Sequence, residues 1–119
     1  MFGINADHIN LISKLSFCRL ANIVLVRWSF YYSKWRKTPK GITFPISLTI
    51  EPTTACNLGC PECPSGLKQF SRPEGNLKNP LYESIINQVE KHVFYLNFYF
   101  QGEPFINPNF LDMVAYANS

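Results

Sequence analysis

The chain contains no apolar run long enough to cross a bilayer. In its most apolar region the longest uncharged stretch, Leu20 to Val26, is seven residues between Arg19 and Arg27, against the roughly 20 that a spanning helix needs. The opening, MFGINADHIN, lacks the basic n-region of a secretory leader, and no small-residue cleavage site follows an apolar core. Disulfides also lack material. Of four cysteines, Cys56, Cys60 and Cys63 fall within eight residues and Cys18 is remote, and bridges inside so short a segment would close small strained loops. Charge is sparse at 16% while 46% of residues are hydrophobic, which excludes a disordered chain and leaves apolar material for one domain core. A globular protein of a reducing compartment follows, and the cytoplasm is the expected location.

Acid is what the first forty residues lack. Seven Lys or Arg there face Asp7 alone, a charge of +6, whereas residues 41–119 carry four bases and seven acids, −3. Nothing breaks a helix from Ile9 to Lys34, and Leu11, Leu15, Cys18, Ala21 or Asn22, Leu25, Trp28 and Tyr32 recur at steps of three and four. That spacing predicts one amphipathic helix, with bases in its last turn and a stop at Thr38-Pro39 and Gly41. Cys18 then falls on the apolar face as a small buried hydrophobe. Two roles fit this helix: an extension packed on the following domain, or a basic, aromatic helix lying on an anionic membrane surface as a peripheral contact. No nucleic-acid partner is expected, because the bases gather on one helix and its tail without a reading motif.

After Pro45 the pattern changes, giving an expected division into a basic helical extension, residues 1–43, and an α/β part, residues 44–119. ISLTI, Ile46 to Ile50, alternates apolar and small polar residues and predicts a strand ending at Glu51-Pro52. A long loop, Pro61 to Lys78, leads to a helix of about three turns with Asn79 as its cap, Pro80 at its first position and Leu81, Ile85, Val89 and Val93 as its apolar stripe. YLNFYF, Tyr95 to Phe100, predicts a strand buried on both faces. Asn107-Pro108 repeats the cap-and-proline start before a helix bearing Phe110, Leu111, Val114 and Ala117. Strand, helix, strand, helix is the order of an α/β fold with parallel strands. Two strands leave both sheet edges open and little core, so the chain is expected to be the beginning of something longer.

The cysteines sit in TIEPTTACNLGCPECPSG, directly after the first strand. Thiolates are soft ligands for zinc or iron, and three on one short loop can face one inorganic centre. Gly59 lets the backbone turn between Cys56 and Cys60, while Pro61 and Pro64 stiffen the path. A structural zinc site takes four protein ligands, yet His8 and His92 stand isolated as ordinary surface or helix-end histidines. No further cysteines continue a ferredoxin run. Three ligands with an unfilled fourth position leave least unexplained.

Cys56-Asn57-Leu58-Gly59-Cys60-Pro61-Glu62-Cys63 resembles the CxxxCxxC signature of radical S-adenosylmethionine (radical SAM) enzymes, which carry it after their first strand. Gly102-Glu103-Pro104, after the second predicted strand, resembles the family's GGEP element, with Gln101 in place of the first glycine. The resemblance implies that Cys56, Cys60 and Cys63 bind three irons of a 4Fe-4S cluster and that the fourth iron takes SAM through its amino and carboxylate groups. It implies that Gly102, Glu103 and Pro104 contact SAM, with Glu103 orienting the ammonium. Reductive cleavage of SAM would give a 5′-deoxyadenosyl radical that abstracts hydrogen from a substrate. The implied fold is a partial barrel of six βα units, of which residues 44 to 118 supply the first two, so both loops lie at the strand ends where such sheets bind ligands. Glu62 departs from the aromatic that many members use against adenine. The opening is similar to members with SPASM-type C-terminal extensions, which implies a peptide or protein substrate and an electron donor such as flavodoxin or ferredoxin. The competing expectation is a truncated, noncatalytic metal-binding or interaction module.

Overall fold

The computed structural model describes residues 6–39, 41 and 43–119, with the side chains of residues 6–8 set aside. The His8 side chain, the opening residues 1–5, Lys40 and Ile42 therefore lie outside the description. The chain forms two compact units, Met1–Leu48 with Lys91–Tyr95, and Thr49–Glu90 with Leu96–Ser119.

In the first unit the single long helix expected from the leucine spacing is two helices, α1 (Ala6–Ser13) and α2 (Phe17–Arg36). Ser16 separates them. Its backbone is extended and its hydroxyl accepts the Arg19 amide hydrogen, an N-cap that competes with helix continuation. The Arg19 guanidinium also donates to the Lys14 carbonyl across the break, at 2.7 Å. α2 ends at Lys37, which takes a left-handed conformation at φ 54°. A polar anchor orients this helix. Asn22 is buried, its amide donates to the carbonyls of Phe44 at 3.1 Å and His92 at 3.2 Å, and its oxygen accepts the Phe44 amide hydrogen. The His92 ring stacks on Phe44 with centroids 4.2 Å apart. Cys18, one turn before Asn22 on the same side of the helix, is exposed near the start of α2, contrary to the buried position its periodicity predicts.

Strands β1 (Ser47–Thr49) and β2 (Tyr95–Asn97) contribute residues to both units and pair as a two-stranded sheet. The Ile46 carbonyl accepts from the Phe94 amide and the Ile50 amide donates to the Asn97 carbonyl. Register thus advances in the same direction along both strands, a parallel pair. Both strands are shorter than expected, and Tyr95, Tyr99 and Phe100 are exposed, so the second strand is not buried on both faces. Among the described residues β1 is its only partner.

In the second unit α3 (Asn79–Val89) and α4 (Phe110–Asn118) pack together. α3 starts one residue earlier than expected: Lys78 holds the cap position without a side-chain bond, and Asn79 is already helical. Its buried residues are Tyr82 and Ile86, whereas Leu81 is exposed; the inward face is one residue out of phase with the predicted stripe. Tyr82 decides that phase, since its hydroxyl donates to the Met113 carbonyl of α4 at 2.7 Å. Ile50, Tyr82, Ile86 and Met113 form the buried apolar centre of this unit, extended by ring contacts of Tyr82 with Phe98 and Tyr116. α4 begins at Phe110 after a 3-10 turn, Pro104–Ile106, so Asn107-Pro108 precedes the helix and Asn109 caps it. Among the described residues no helix is long and apolar enough to cross a membrane.

Candidate functional site

Every residue of the candidate site belongs to the second unit. Its base is a short antiparallel stem just after β1. Thr53 bridges to Asn76, the Thr54 amide donates to the Gly75 carbonyl at 3.0 Å, and the Leu77 amide donates to the Pro52 carbonyl at 2.8 Å. The Thr54 hydroxyl accepts the Gly75 amide hydrogen at 2.8 Å, and the Thr53 hydroxyl accepts that of Ala55 at 3.1 Å. Buried Asn107 locks the stem from beneath, donating to the Pro52 and Leu77 carbonyls. Outside it, Arg72 pairs with Glu51 at 3.1 Å and lies over the Phe70 ring.

The cysteine loop rises from this stem. Residues 57–62 are exposed, and Cys56 and Cys63 are half-buried. The Leu67 amide donates to the Cys63 carbonyl at 2.9 Å and the Gln69 amide to the Pro64 carbonyl at 3.0 Å, a tight turn that ends at Lys68 with φ 52°. Gly66 lies against the Cys60 backbone, where a Cβ would stand 2.6 Å from the Cys60 nitrogen; only glycine fits without displacement. Hydrogen bonding from the Gly66 amide, then from the Ser65 amide, holds the Cys63 thiol below the ordinary cysteine range, against an opposing push from burial. That favours the thiolate, the form that ligates metal.

The second motif docks on the first. Gly102 takes φ +77°, with its absent Cβ aimed 2.2 Å from the Thr53 carbonyl oxygen. The Glu103 amide donates to the Ala55 carbonyl at 2.9 Å. Ser65 joins the two segments from the other side, donating to the Gln101 carboxamide oxygen at 3.0 Å and accepting from the Gly102 amide at 3.4 Å. The Glu103 carboxylate accepts from the Phe105 amide at 3.4 Å, beyond the usual N–H···O range, and Pro104 opens the 3-10 turn.

The structure thus brings Gly102 and Glu103 against the residues that lead into Cys56. It does not gather the thiols: among the described residues no group of three or more His, Cys, Asp or Glu side chains is close enough to hold a metal ion. The donor set nonetheless suits a soft metal centre, with three free cysteines on one largely exposed loop. Glu62, at the departure from the family pattern, is exposed. Thr53 and Thr54, which flank the loop in sequence, support it here, and Ser65, Gly66 and Asn107 build the site with no motif to mark them. Their roles are tertiary hydrogen bonds and close backbone approaches, which leave no periodic trace.

Three relatives are named mycofactocin maturase MftC. Those of Mycobacterium tuberculosis and Mycobacterium ulcerans are each 40% identical, over 81 and 80 residues, covering 67% and 66% of this chain and 20% and 21% of their own length. The Mycolicibacterium smegmatis relative is 37% identical over 81 residues, or 67% of this chain and 20% of its own. The chain spans about a fifth of the length of these curated relatives. No family model matches, and no solved structure gives a significant match. Over two thirds of its length this chain is thus similar to mycofactocin maturases, in agreement with the resemblance of its CxxxCxxC loop to that of radical SAM enzymes.

Proposed function

We propose that the chain carries the cluster- and SAM-binding end of a radical SAM enzyme, with Cys56, Cys60 and Cys63 holding three irons of a 4Fe-4S cluster and Gly102, Glu103 and Pro104 bordering SAM. The observation that carries this reading is the 2.9 Å bond from the Glu103 amide to the Ala55 carbonyl, which ties the second motif to the residue before Cys56. A 4Fe-4S cluster held by Cys56, Cys60 and Cys63 would supply one-electron reducing chemistry toward a SAM bordered by Gly102, Glu103 and Pro104. The chain's own residues bind and orient. Amides of Gly66 and Ser65 stabilise the Cys63 thiolate, and Gly66 admits the close turn at Cys60. The Glu103 carboxylate, held by one long contact, is available to accept a charge-assisted hydrogen bond from the SAM ammonium.

The two βα units would open a partial barrel of six, with both loops at strand C-termini where such folds bind ligands. The relatives are named as maturases, which supports a peptide or protein as substrate. A one-electron carrier such as flavodoxin or ferredoxin would reduce the cluster, and the free cysteines suit the cytoplasm.

Anaerobic reconstitution with iron and sulfide tests the reading. A 4Fe-4S electron paramagnetic resonance signal in the reduced protein that shifts when SAM is added is the expected result. Stoichiometric zinc without iron binding would overturn it in favour of a metal-binding module.

A further inference from the structure

α2 keeps a continuous apolar face in solvent. Phe17, Leu20, Val24, Trp28, Tyr31 and Trp35 follow one another at steps of three and four, the spacing that lines one side of a helix. All six are exposed, Phe17 at 85%, Trp28 at 69% and Trp35 at 76%. By the 3.6-residue turn, Asn22 lies roughly opposite this stripe. Its three hydrogen bonds to Phe44 and His92 fix the helix's rotation within its unit, so the stripe's outward aim is built in.

The chemistry beside the stripe selects its occupant. α2 contains Arg19, Arg27, Lys34 and Arg36 and no acid. The Arg27 guanidinium lies over the Tyr31 ring and that of Arg36 over Trp35, so positive charge borders the apolar face. A second copy of this helix would bring bases against bases with no carboxylate on either helix to pair them. An anionic lipid surface answers both features: headgroups take the bases, and the aromatic stripe sinks about 5–10 Å to the acyl boundary. Tryptophan and tyrosine, apolar bodies with polar tips, suit that depth.

We propose that α2 docks its Phe17-to-Trp35 face on anionic phospholipid bilayers. This proposal stands apart from the cluster reading, because no cysteine of the candidate site takes part. Both tryptophans of the chain, Trp28 and Trp35, lie in the stripe, so intrinsic emission reports on this face. The full chain would be titrated with phosphatidylcholine vesicles with and without phosphatidylglycerol, following emission and co-sedimentation. The expected result is a blue shift and pelleting only with phosphatidylglycerol, largely lost in ~1 M salt, where the Debye length is about 3 Å. Neutralising Arg27→Gln and Lys34→Gln, both on the exposed side, should weaken partition about fivefold each. Val24→Glu should abolish binding while far-ultraviolet circular dichroism stays unchanged. No binding to phosphatidylglycerol vesicles, or equal binding to both vesicle types, would overturn the proposal. So would emission already blue-shifted in buffer together with a dimeric mass, since a second copy would then occupy the face.

Discussion

Gly102 and Gly66 set the tolerance of the site at the scale of single residues. At Gly102, left-handed backbone and a Thr53 carbonyl oxygen 2.2 Å from any Cβ act together. Gly102→Ala must either hold that conformation, at about 1–2 kcal/mol of backbone strain, or leave it and move Glu103 off Ala55. A lower thermal midpoint and loss of the SAM-dependent resonance shift are expected; a variant that keeps both would show that the docking of the second motif is unimportant. The cysteines divide on chemistry and not on number. Cys60→Ala removes one of three thiols from one loop and should abolish the cluster, whereas Cys18→Ala alters an exposed residue of the other unit and should leave iron content unchanged. Iron lost from Cys18→Ala would assign a ligand that neither spacing nor structure indicates.

Helix α3 shows how one side chain fixes the register of an element. Tyr82 is buried, and its hydroxyl donates to a main-chain carbonyl of α4. Removing the hydroxyl in Tyr82→Phe leaves the Met113 carbonyl without that donor inside the core, a loss of about 1–3 kcal/mol by chemical denaturation. Burial, with a smaller contribution from Tyr116, pushes the Tyr82 hydroxyl up to about 12. The sign follows from linkage. The folded-state value lies above the unfolded one, so the stabilisation is complete below about pH 10 and is lost as pH rises through about 12. Denaturation midpoints should therefore fall over that window in the parent protein, and more weakly in Tyr82→Phe. Equal slopes would remove Tyr82 as the cause. Apolar periodicity predicted α3 and its length but pointed to Leu81, because a tyrosine that must satisfy its own hydroxyl counts in such a pattern only as a large residue. The same blindness applies to α2: leucine spacing runs on through Ser16, and nothing in it reveals that Asn22, a polar residue, supplies the anchor.

For the whole molecule, the order of strand, helix, strand, helix and the place of each motif after a strand were legible, since both rest on local periodicity and turn residues. The stem that carries the cysteine loop was not. Thr53 meets Gly75 and Asn107 meets Pro52 across 22 and 55 residues of sequence, and such pairs have no local signature. This architecture implies a coupling between ligand and loop. The stem is bonded on several sides, but the thiols above it are not gathered, and residues 67–76, with Lys68 and Arg72 among them, are exposed. A cluster that binds the folded loop through three thiolates adds its binding free energy to the ordered loop by mass action. Trypsin should therefore cut the unloaded chain after Lys68 through local opening, and cut the reconstituted chain at that bond at least several-fold more slowly, while Arg72, followed by Pro73, resists trypsin in both. Chelating the iron should restore the faster rate, and Cys60→Ala should show the fast rate throughout. Cleavage after Lys68 that ignores iron would mean that the three thiols do not hold a common centre, whatever the fate of bonds elsewhere in the chain.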